Sequence, residues 1–586
     1  MKKQFIFPLV VLAITLKSCV SNPLSKSNSI EFLILHNNDM HARFEQTSVS
    51  GGKCSQEAEN TNKCYGGFSR TAHEIRKFRK EAKSGGLEVL YLNAGDTYTG
   101  TPWFTIFKDN ITTTFLNKLS PDAISLGNHE FDEGVSGLIP FLYKAKFPIL
   151  AANLDLSKEP EMLKAKMLMK STILEVSGVK VGVIGYVTPE TKFLTLNNNV
   201  EFKDEIKSIN EEAANLKSQG IKIIIALGHS GYQKDQEIAA KCHEVDIVIG
   251  GHTNTFLYNG NQPDYERPEG PYPQVVTQSS GKKVPVVQAY AYTKYLGKLH
   301  VQFDKNGDLL KFDGQPILLN AEIPRDSDIL DLLNLYRPNI TALENDIIGY
   351  TKVRLEGRAS VCRVAECNLG NLIADSMVYA RTIQDEGGKF WSDAAIGFVQ
   401  GGGIRSSIEK RSDGSITEND VLTALPFKND VYMTKVSGST IRNALEHSAE
   451  VFDKDSNGGF LQVSGIRVVY NISNPIGKRV QSVEVLCSEC EVPSYSDLDD
   501  GKMYNIIISK FLLDGGDGHK LNENNGSNQR LPFVDSKTLS EYVKARKIIY
   551  PGIEGRITWV GHNSGFSLKG SLFTIMLAFV LRQLIN

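Results

Sequence analysis

Ala123-Ile124-Ser125-Leu126, followed at once by Gly127-Asn128-His129-Glu130-Phe131-Asp132, is an apolar run of strand length that ends in an amide, an imidazole and two carboxylates. In open α/β sheets ligands gather beyond the carboxyl ends of the strands, so a polar cluster there is well placed for chemistry. Taken alone, the same residues also fit a glycine turn capped by Asn and Asp. The choice rests on what the rest of the chain supplies.

Outward from this stretch, apolar runs alternate with helix-like segments from Ile30 to Leu318, the pattern of a layered α/β domain. Strands are predicted over Ile30–Leu35, Glu88–Leu92, Ala123–Leu126, Val179–Ile184, Ile221–Leu227 and Val245–Ile249. Their ends run into Asn38-Asp39-Met40-His41, Asn93-Ala94-Gly95-Asp96, the opening cluster, Gly228-His229-Ser230 and Gly250-Gly251-His252-Thr253-Asn254. Each is dismissible singly, since an Asp there commonly caps a helix and a lone His is more often structural than a ligand. Five strand ends carrying only Asp, His and Asn are harder to dismiss. Carboxylates and imidazoles without thiolates suit a pair of divalent cations able to bind phosphate and water.

A helix with apolar Ile329, Leu332, Leu333 and Leu335 is predicted between two domains, and Val361 to Ile557 reads as a second α/β region. There Glu366-Cys367-Asn368-Leu369-Gly370-Asn371-Leu372 opens a helix, and Gly401-Gly402-Gly403-Ile404-Arg405 follows the apolar run Ala394 to Val399. Three glycines before an Arg allow close approach of a ligand to the backbone and a bidentate grip on phosphate; the plain alternative is a flexible turn. Phe427 and Phe511 are core residues or, if they flank one pocket, a stacking pair for a base.

At 586 residues the chain exceeds one core, and 41% hydrophobic with 23% charged residues is an ordinary globular composition. A net charge of −2 excludes general nucleic-acid binding. Met1-Lys2-Lys3 and the apolar run Phe5 to Leu16 have the order of a secretory signal, with a lipoprotein-like Leu16-Lys17-Ser18-Cys19 as a poorer fit. Small Asn563-Ser564-Gly565, a polar spacer and the apolar tail Leu572 to Leu584 have the order of a glycosylphosphatidylinositol signal; a true span needs about 20 apolar residues. Cysteines fall as Cys54 with Cys64, Cys362 with Cys367 and Cys487 with Cys490, suggesting local disulfides of an oxidising compartment, with Cys242 alone. Zinc is the rival reading for Cys487 and Cys490. Sequons stand at Asn110, Asn339, Asn471 and Asn525.

Asp39-Met40-His41, Gly95-Asp96, Gly127-Asn128-His129-Glu130, Gly228-His229 and Gly250-Gly251-His252 together resemble the motif set of the calcineurin-like metallophosphoesterases. With the C-terminal motifs added, the chain is similar to the 5′-nucleotidase family from Ile30 to Ile557, its animal cell-surface members in particular. The resemblance implies an α/β fold: a signal at 1–21, a four-layer β-sandwich with flanking helices over 29–318, a linker helix over 319–341, a C-terminal α/β nucleotide-binding domain over 342–557, and an anchor signal removed from 564–586. It implies that Asp39 and His41 hold one divalent cation, zinc, that Asn128, His229 and His252 hold a second, that Asp96 bridges them, and that Asn254 completes the first shell. His129 would stabilise phosphoryl charge, oriented by Asp132, with Glu130 structural. Arg363, Gln400, Gly402, Gly403, Arg405, Phe427, Phe511 and Asp517 would bind nucleotide, the Phe pair at the base, Asp517 at the ribose and the Arg residues at the phosphate.

The implied activity is extracellular hydrolysis of nucleoside monophosphates such as AMP by a membrane-anchored homodimer paired through its C-terminal domains. Alternatives are an apyrase or UDP-sugar hydrolase of the same family, and a non-catalytic nucleotide-binding surface protein. Gln400 stands where the family has Asn, and Ala374 and Ile396 where vertebrate members have a further Cys pair.

Overall fold

The computed structural model describes residues 29–195, 198–384, 390–450, 458–523 and 528–561. The expected leader at 1–21, the anchor-like tail at 564–586 and the Asn525 sequon lie outside the described residues.

Two sheets form the N-terminal region. In the first, Ser29–Asn37, Glu88–Asn93, Ala123–Ser125, Ile149–Leu150 and Leu168–Met169 run parallel in that order, with Tyr295–Asp304 antiparallel against Ser29–Asn37. In the second, Val179–Val187, Ile223–His229, Ile247–Ile249 and Lys283–Val287 are parallel neighbours. Alternation along each strand decides the layers. Phe32, Ile34, Leu90 and Leu92 meet Val181, Val183, Ile223, Ile225 and Leu227 between the sheets, while Leu35 and Tyr91 point outward into a second core with the helices. The helix Phe68–Lys83 covers that outer face because Phe68, Ala72, Ile75 and Phe78 recur at helical spacing. On the far face of the second sheet, Ile184, Ile224 and Val248 pack against Ile209, Ala213 and Leu216 of the helix Glu205–Ser218, which Asp204 caps by accepting from Lys207 N at 2.7 Å. The result is a four-layer helix–sheet–sheet–helix stack whose parallel strands end along one edge.

Two differences from the sequence reading have local causes. The strand expected over Ala123–Leu126 stops at Ser125, because Gly127 N turns to the Glu130 carboxylate at 2.7 Å. The helix expected over 319–341 runs Ser327–Asn345, starting after Asp326, whose backbone is extended. Ile329, Leu333 and Ile340 form its buried stripe, and Leu335, off that stripe, is 76% exposed.

Beyond this helix a five-stranded sheet has the order Leu461–Ser464, Ile396–Gln400, Met503–Ser509, Asp430–Ser437, Gln529–Val534. Ile507 faces the core under helices Asn368–Thr382 and Asp535–Arg546, whereas Ile506 and Ile508 face a separate core that includes Ile441 and Leu445 of the helix Gly438–Ser448. Disulfides join Cys54 to Cys64, Cys362 to Cys367 and Cys487 to Cys490, and Cys242 is a buried free thiol. Bonded to each other, Cys487 and Cys490 have no thiolate to offer zinc, so the rival reading of that pair falls. Among the described residues no helix is long and apolar enough to cross a membrane.

Candidate active site

The strand ends converge. Asp39, His41, Asp96, His252 and Asn254 all adopt positive φ, at 49°, 46°, 55°, 78° and 57°. Left-handed backbone at a non-glycine residue costs on the order of 1–3 kcal/mol and persists only where surrounding contacts dictate it. Those contacts are visible. Asp39 N donates to Gly95 O at 3.0 Å and His41 N to Asp96 O at 2.9 Å. Glu130, buried, accepts from Gly127 N, Asp96 N, Thr97 N and Tyr98 N at 2.7, 3.0, 2.7 and 3.2 Å. Gly127 is required by crowding, because a Cβ there would stand 2.1 Å from Asp96 Oδ1.

Each imidazole is fixed by its rear nitrogen. His41 Nδ1 donates to Thr99 O at 3.0 Å and His229 Nδ1 to Ala94 O at 2.6 Å, leaving both Nε2 atoms facing the carboxylates. His229 Nε2 lies 2.9 Å from Asp96 Oδ2 and 3.8 Å from Asp39 Oδ1; His41 Nε2 lies 3.7 Å from each of Asp39 and Asp96. His252 Nδ1 and Asn128 Oδ1 are 2.9 Å apart. Two groups of converging donor atoms result, His41 with Asp96 and His129, and His229 with Asp96 and His252, sharing the Asp96 carboxylate.

Buried Asp39 Oδ1 and Asn254 Oδ1 lack a hydrogen-bond partner. Orphaned acceptors aimed at one space are what a cation would satisfy, so the residues fit divalent metal ions. The electrostatics agree. Against burial, His229 and His129 hold the Asp96 carboxyl well below its ordinary range, and Asp96 and Asp39 push His229 up to about 10, so that here the ring proton supplies the positive charge that a bound cation would replace. Burial lowers His41 to about 3 and His252 to about 4, which keeps both rings in the neutral form that a cation would require.

The C-terminal region closes the cleft from the other side. Phe427 stacks on His129 with ring centroids 5.6 Å apart. Arg405 Nη2 is 2.9 Å from His41 Nε2, its Nη1 donates to Gly402 O at 3.3 Å, and its guanidinium is 5.8 Å from the Phe427 ring. Arg363, bracketed by the Cys362–Cys367 disulfide, is buried and lowered to about 10 by burial and then by Arg405. The glycine run is no flexible turn: a Cβ on Gly401 would meet Cys362 O at 2.5 Å and one on Gly402 would meet Gly458 Cα at 2.8 Å, so backbones pack directly. Gln400 packs beside Gly403, and Gly516 lets the Phe511 ring lie against the loop that presents Asp517. A single cleft of about 1160 Å³ is lined by these residues and by Asn128, His129, Asp132, His252 and Asn254, with Asp39 and His229 buried behind it.

Arg43 and Tyr292 escaped the sequence reading. Arg43, 1% exposed, donates to His41 O at 2.8 Å and Arg405 O at 3.3 Å, and its guanidinium sits 4.3 Å from the Tyr292 ring, so one cation ties both sides of the cleft. The only signal available was an Arg two residues after a candidate ligand.

A family model described as calcineurin-like phosphoesterase matches residues 32–256, and one described as 5′-nucleotidase, C-terminal domain, matches residues 347–523. The chain is 41% identical over 560 residues to the 5′-nucleotidase of Homo sapiens, covering 94% of this chain and 95% of that one. It belongs to the 5′-nucleotidase family. Protein 5NUC of Lutzomyia longipalpis is 49% identical over 559 residues, 95% of this chain and 97% of that protein. Among solved structures, the 5′-nucleotidase precursor from Thermus thermophilus superposes with a TM-score of 0.82 at 34% identity, covering 91% of this chain and all of the other. Metallophosphoesterases of this 5′-nucleotidase group use divalent metal ions, in keeping with the donor set around Asp96.

One consequence of the site is a pH-dependent stability. Desolvation in the cleft wall raises the half-buried Asp517 carboxyl from 3.8 to about 6. A carboxyl whose folded pKa exceeds its unfolded value binds protons more tightly when folded, so wild type loses stability as pH rises from about 4 to about 6. Asp517→Asn lacks this loss. The variant is expected to melt above wild type at about pH 7.5, with the gain shrinking toward zero at about pH 4; equal melting temperatures at both would contradict the burial.

Proposed function

We propose that the chain hydrolyses nucleoside 5′-monophosphates such as AMP to nucleoside and phosphate at the cleft between its two regions. The observation that carries this reading is the 5.6 Å stacking of His129 on Phe427, which sets the metal-type cluster directly beside a cleft that Phe427 and Phe511 both line. Asp39 and His41 would hold one divalent ion and Asn128, His229 and His252 another, with Asp96 between them and Asn254 offering its amide oxygen; zinc suits this mixed imidazole and carboxylate set. Such ions, when bound, supply positive charge to phosphoryl oxygens and lower the pKa of a water.

The chain's own groups do the rest. Arg363 and Arg405 grip the phosphate as planar donors. Phe427 and Phe511 flank the base, and Asp517 accepts from the ribose hydroxyls. His129, its Nδ1 held 2.8 Å from Asp132 Oδ2, turns Nε2 toward the space where charge develops on the phosphoryl and leaving oxygens. Gln400 and the Gly402-Gly403 backbone line the cleft between Arg405 and Asp517.

The reading extends to the ends of the chain. We assign 1–21 as a secretory signal and 564–586 as a removed glycosylphosphatidylinositol signal, around a metal-binding domain at 29–318, a linker that contains the helix Ser327–Asn345, and a substrate domain from there to 557. On this assignment the enzyme works outside the cell on the plasma membrane, a setting that three disulfides suit. Exposed Ile347, Tyr350, Ile548, Tyr550 and Ile553 offer the C-terminal region an apolar surface for pairing with a second copy.

Phosphate release measured with AMP, ADP, ATP and UDP-glucose tests the substrate. AMP is expected to have the highest kcat/KM; preference for ATP or ADP would make the enzyme an apyrase, and for UDP-glucose a sugar-nucleotide hydrolase.

A further inference from the structure

Asp517 reaches the cleft on a backbone with φ 53° and ψ 22°, in the three-residue turn Gly516–Gly518. A non-glycine residue in that conformation needs external support, and the support comes from two histidines outside the cleft lining. From the helix Gly438–Ser448, His447 Nε2 donates to the Asp517 carbonyl at 2.7 Å. The buried His519 donates from Nε2 to Gly459 O at 2.7 Å. The rings meet edge to face with centroids 4.7 Å apart and planes at 90°.

This crossed pair stands where two loops join. Gly458 lies against the Asp517 carboxylate, since a Cβ on it would be 3.1 Å from Oδ2, and its carbonyl accepts from Gly402 N at 2.8 Å. Behind Asp517, Gly518 has φ 79° and a Cβ there would stand 3.1 Å from His447 Nε2. Thus His447 fixes the peptide that aims the carboxylate, and His519 fixes the loop against which the carboxylate rests. Burial lowers His519 to about 4, so its ring stays neutral with the proton on Nε2, where the carbonyl needs it.

We infer that His447 and His519 are positioning residues for nucleotide recognition, acting through the aim of Asp517 on the ribose hydroxyls. The inference rests on the ribose role proposed for Asp517.

The test compares kcat/KM for AMP with that for 2′,3′-dideoxy-AMP. Wild type is expected to prefer AMP by about tenfold or more, the loss from removing hydrogen bonds to a charged group. In His447→Ala the preference should fall below about threefold through KM, with kcat on saturating dideoxy-AMP little changed, because a misaimed carboxylate forfeits only the ribose contact. His447→Gln, whose amide donor reaches a similar point, should restore most of it. Melting of each variant separates aim from folding: where the alanine variant is unstable, His447→Phe, which keeps a ring against His519 and has no donor for the Asp517 carbonyl, gives the same comparison. Full discrimination retained in His447→Ala would overturn the positioning role alone. Absence of discrimination in wild type would instead remove the ribose reading, and this inference with it.

Discussion

His129→Ala is expected to lower kcat by about 10²–10³-fold, the usual loss when one preorganised donor to a developing oxyanion is removed. The ring is 13% exposed and doubly fixed, by Asp132 at Nδ1 and by the Phe427 face. Burial opposes its charge, but Asp132 and Asp96 outweigh burial and hold it above its ordinary pKa, which favours the charged ring that can donate from Nε2. Its backbone N donates to Asp96 Oδ1 at 3.0 Å whatever the side chain, so the shared carboxylate keeps its place, and Asp39 and His41 remain to hold the first ion without the His129 ring. Elemental analysis of the variant should therefore match wild type while single-turnover phosphate release collapses. A rate near wild type with metals in place would take His129 out of the chemistry. Asp132→Asn should give a smaller loss, because the ring then keeps its position and loses only its orienting charge.

The sequence carried the layering and the gathering of polar residues at the strand ends because both are local patterns: apolar runs of strand length, and Asp, His and Asn directly after them. It carried Glu130 as structural only through resemblance, although four backbone donors converge on that carboxylate. Other features needed three dimensions. Positive φ at Asp39, His41 and His252 is imposed by partners from other strands, and no property of Asp or His announces it. Gly401-Gly402-Gly403 looks mobile in one dimension and is packed in three, since its neighbours Cys362 and Gly458 come from distant segments. Arg43 is an ordinary charged residue until Arg405 O, His41 O and the Tyr292 face surround it. The start of the interdomain helix was displaced because apolar spacing marks a buried stripe, and the stripe began late, at Ile329.

Arg405 is where both regions of the molecule meet, and its removal should be costly without unfolding either. Arg405→Ala is expected to reduce kcat/KM for AMP by about 30-fold to several thousand-fold, equivalent to roughly 2–5 kcal/mol for truncating one member of a buried charged contact. The side chain is 7% exposed and its Nη2 approaches His41 at 2.9 Å, within the space where the phosphate would lie. The contact from Arg43 to Arg405 uses the carbonyl, and Ser50 Oγ donates to Glu409 Oε1 at 2.6 Å, so docking of the regions does not depend on the guanidinium. Melting should accordingly stay within a few degrees of wild type. Arg405→Lys should recover little, because a single ammonium cannot span Gly402 O and a phosphate oxygen with fixed planar geometry. Near-complete rescue by Lys would mean that Arg405 acts only as a point charge, and an unchanged kcat/KM in the alanine variant would place the phosphate elsewhere in the cleft.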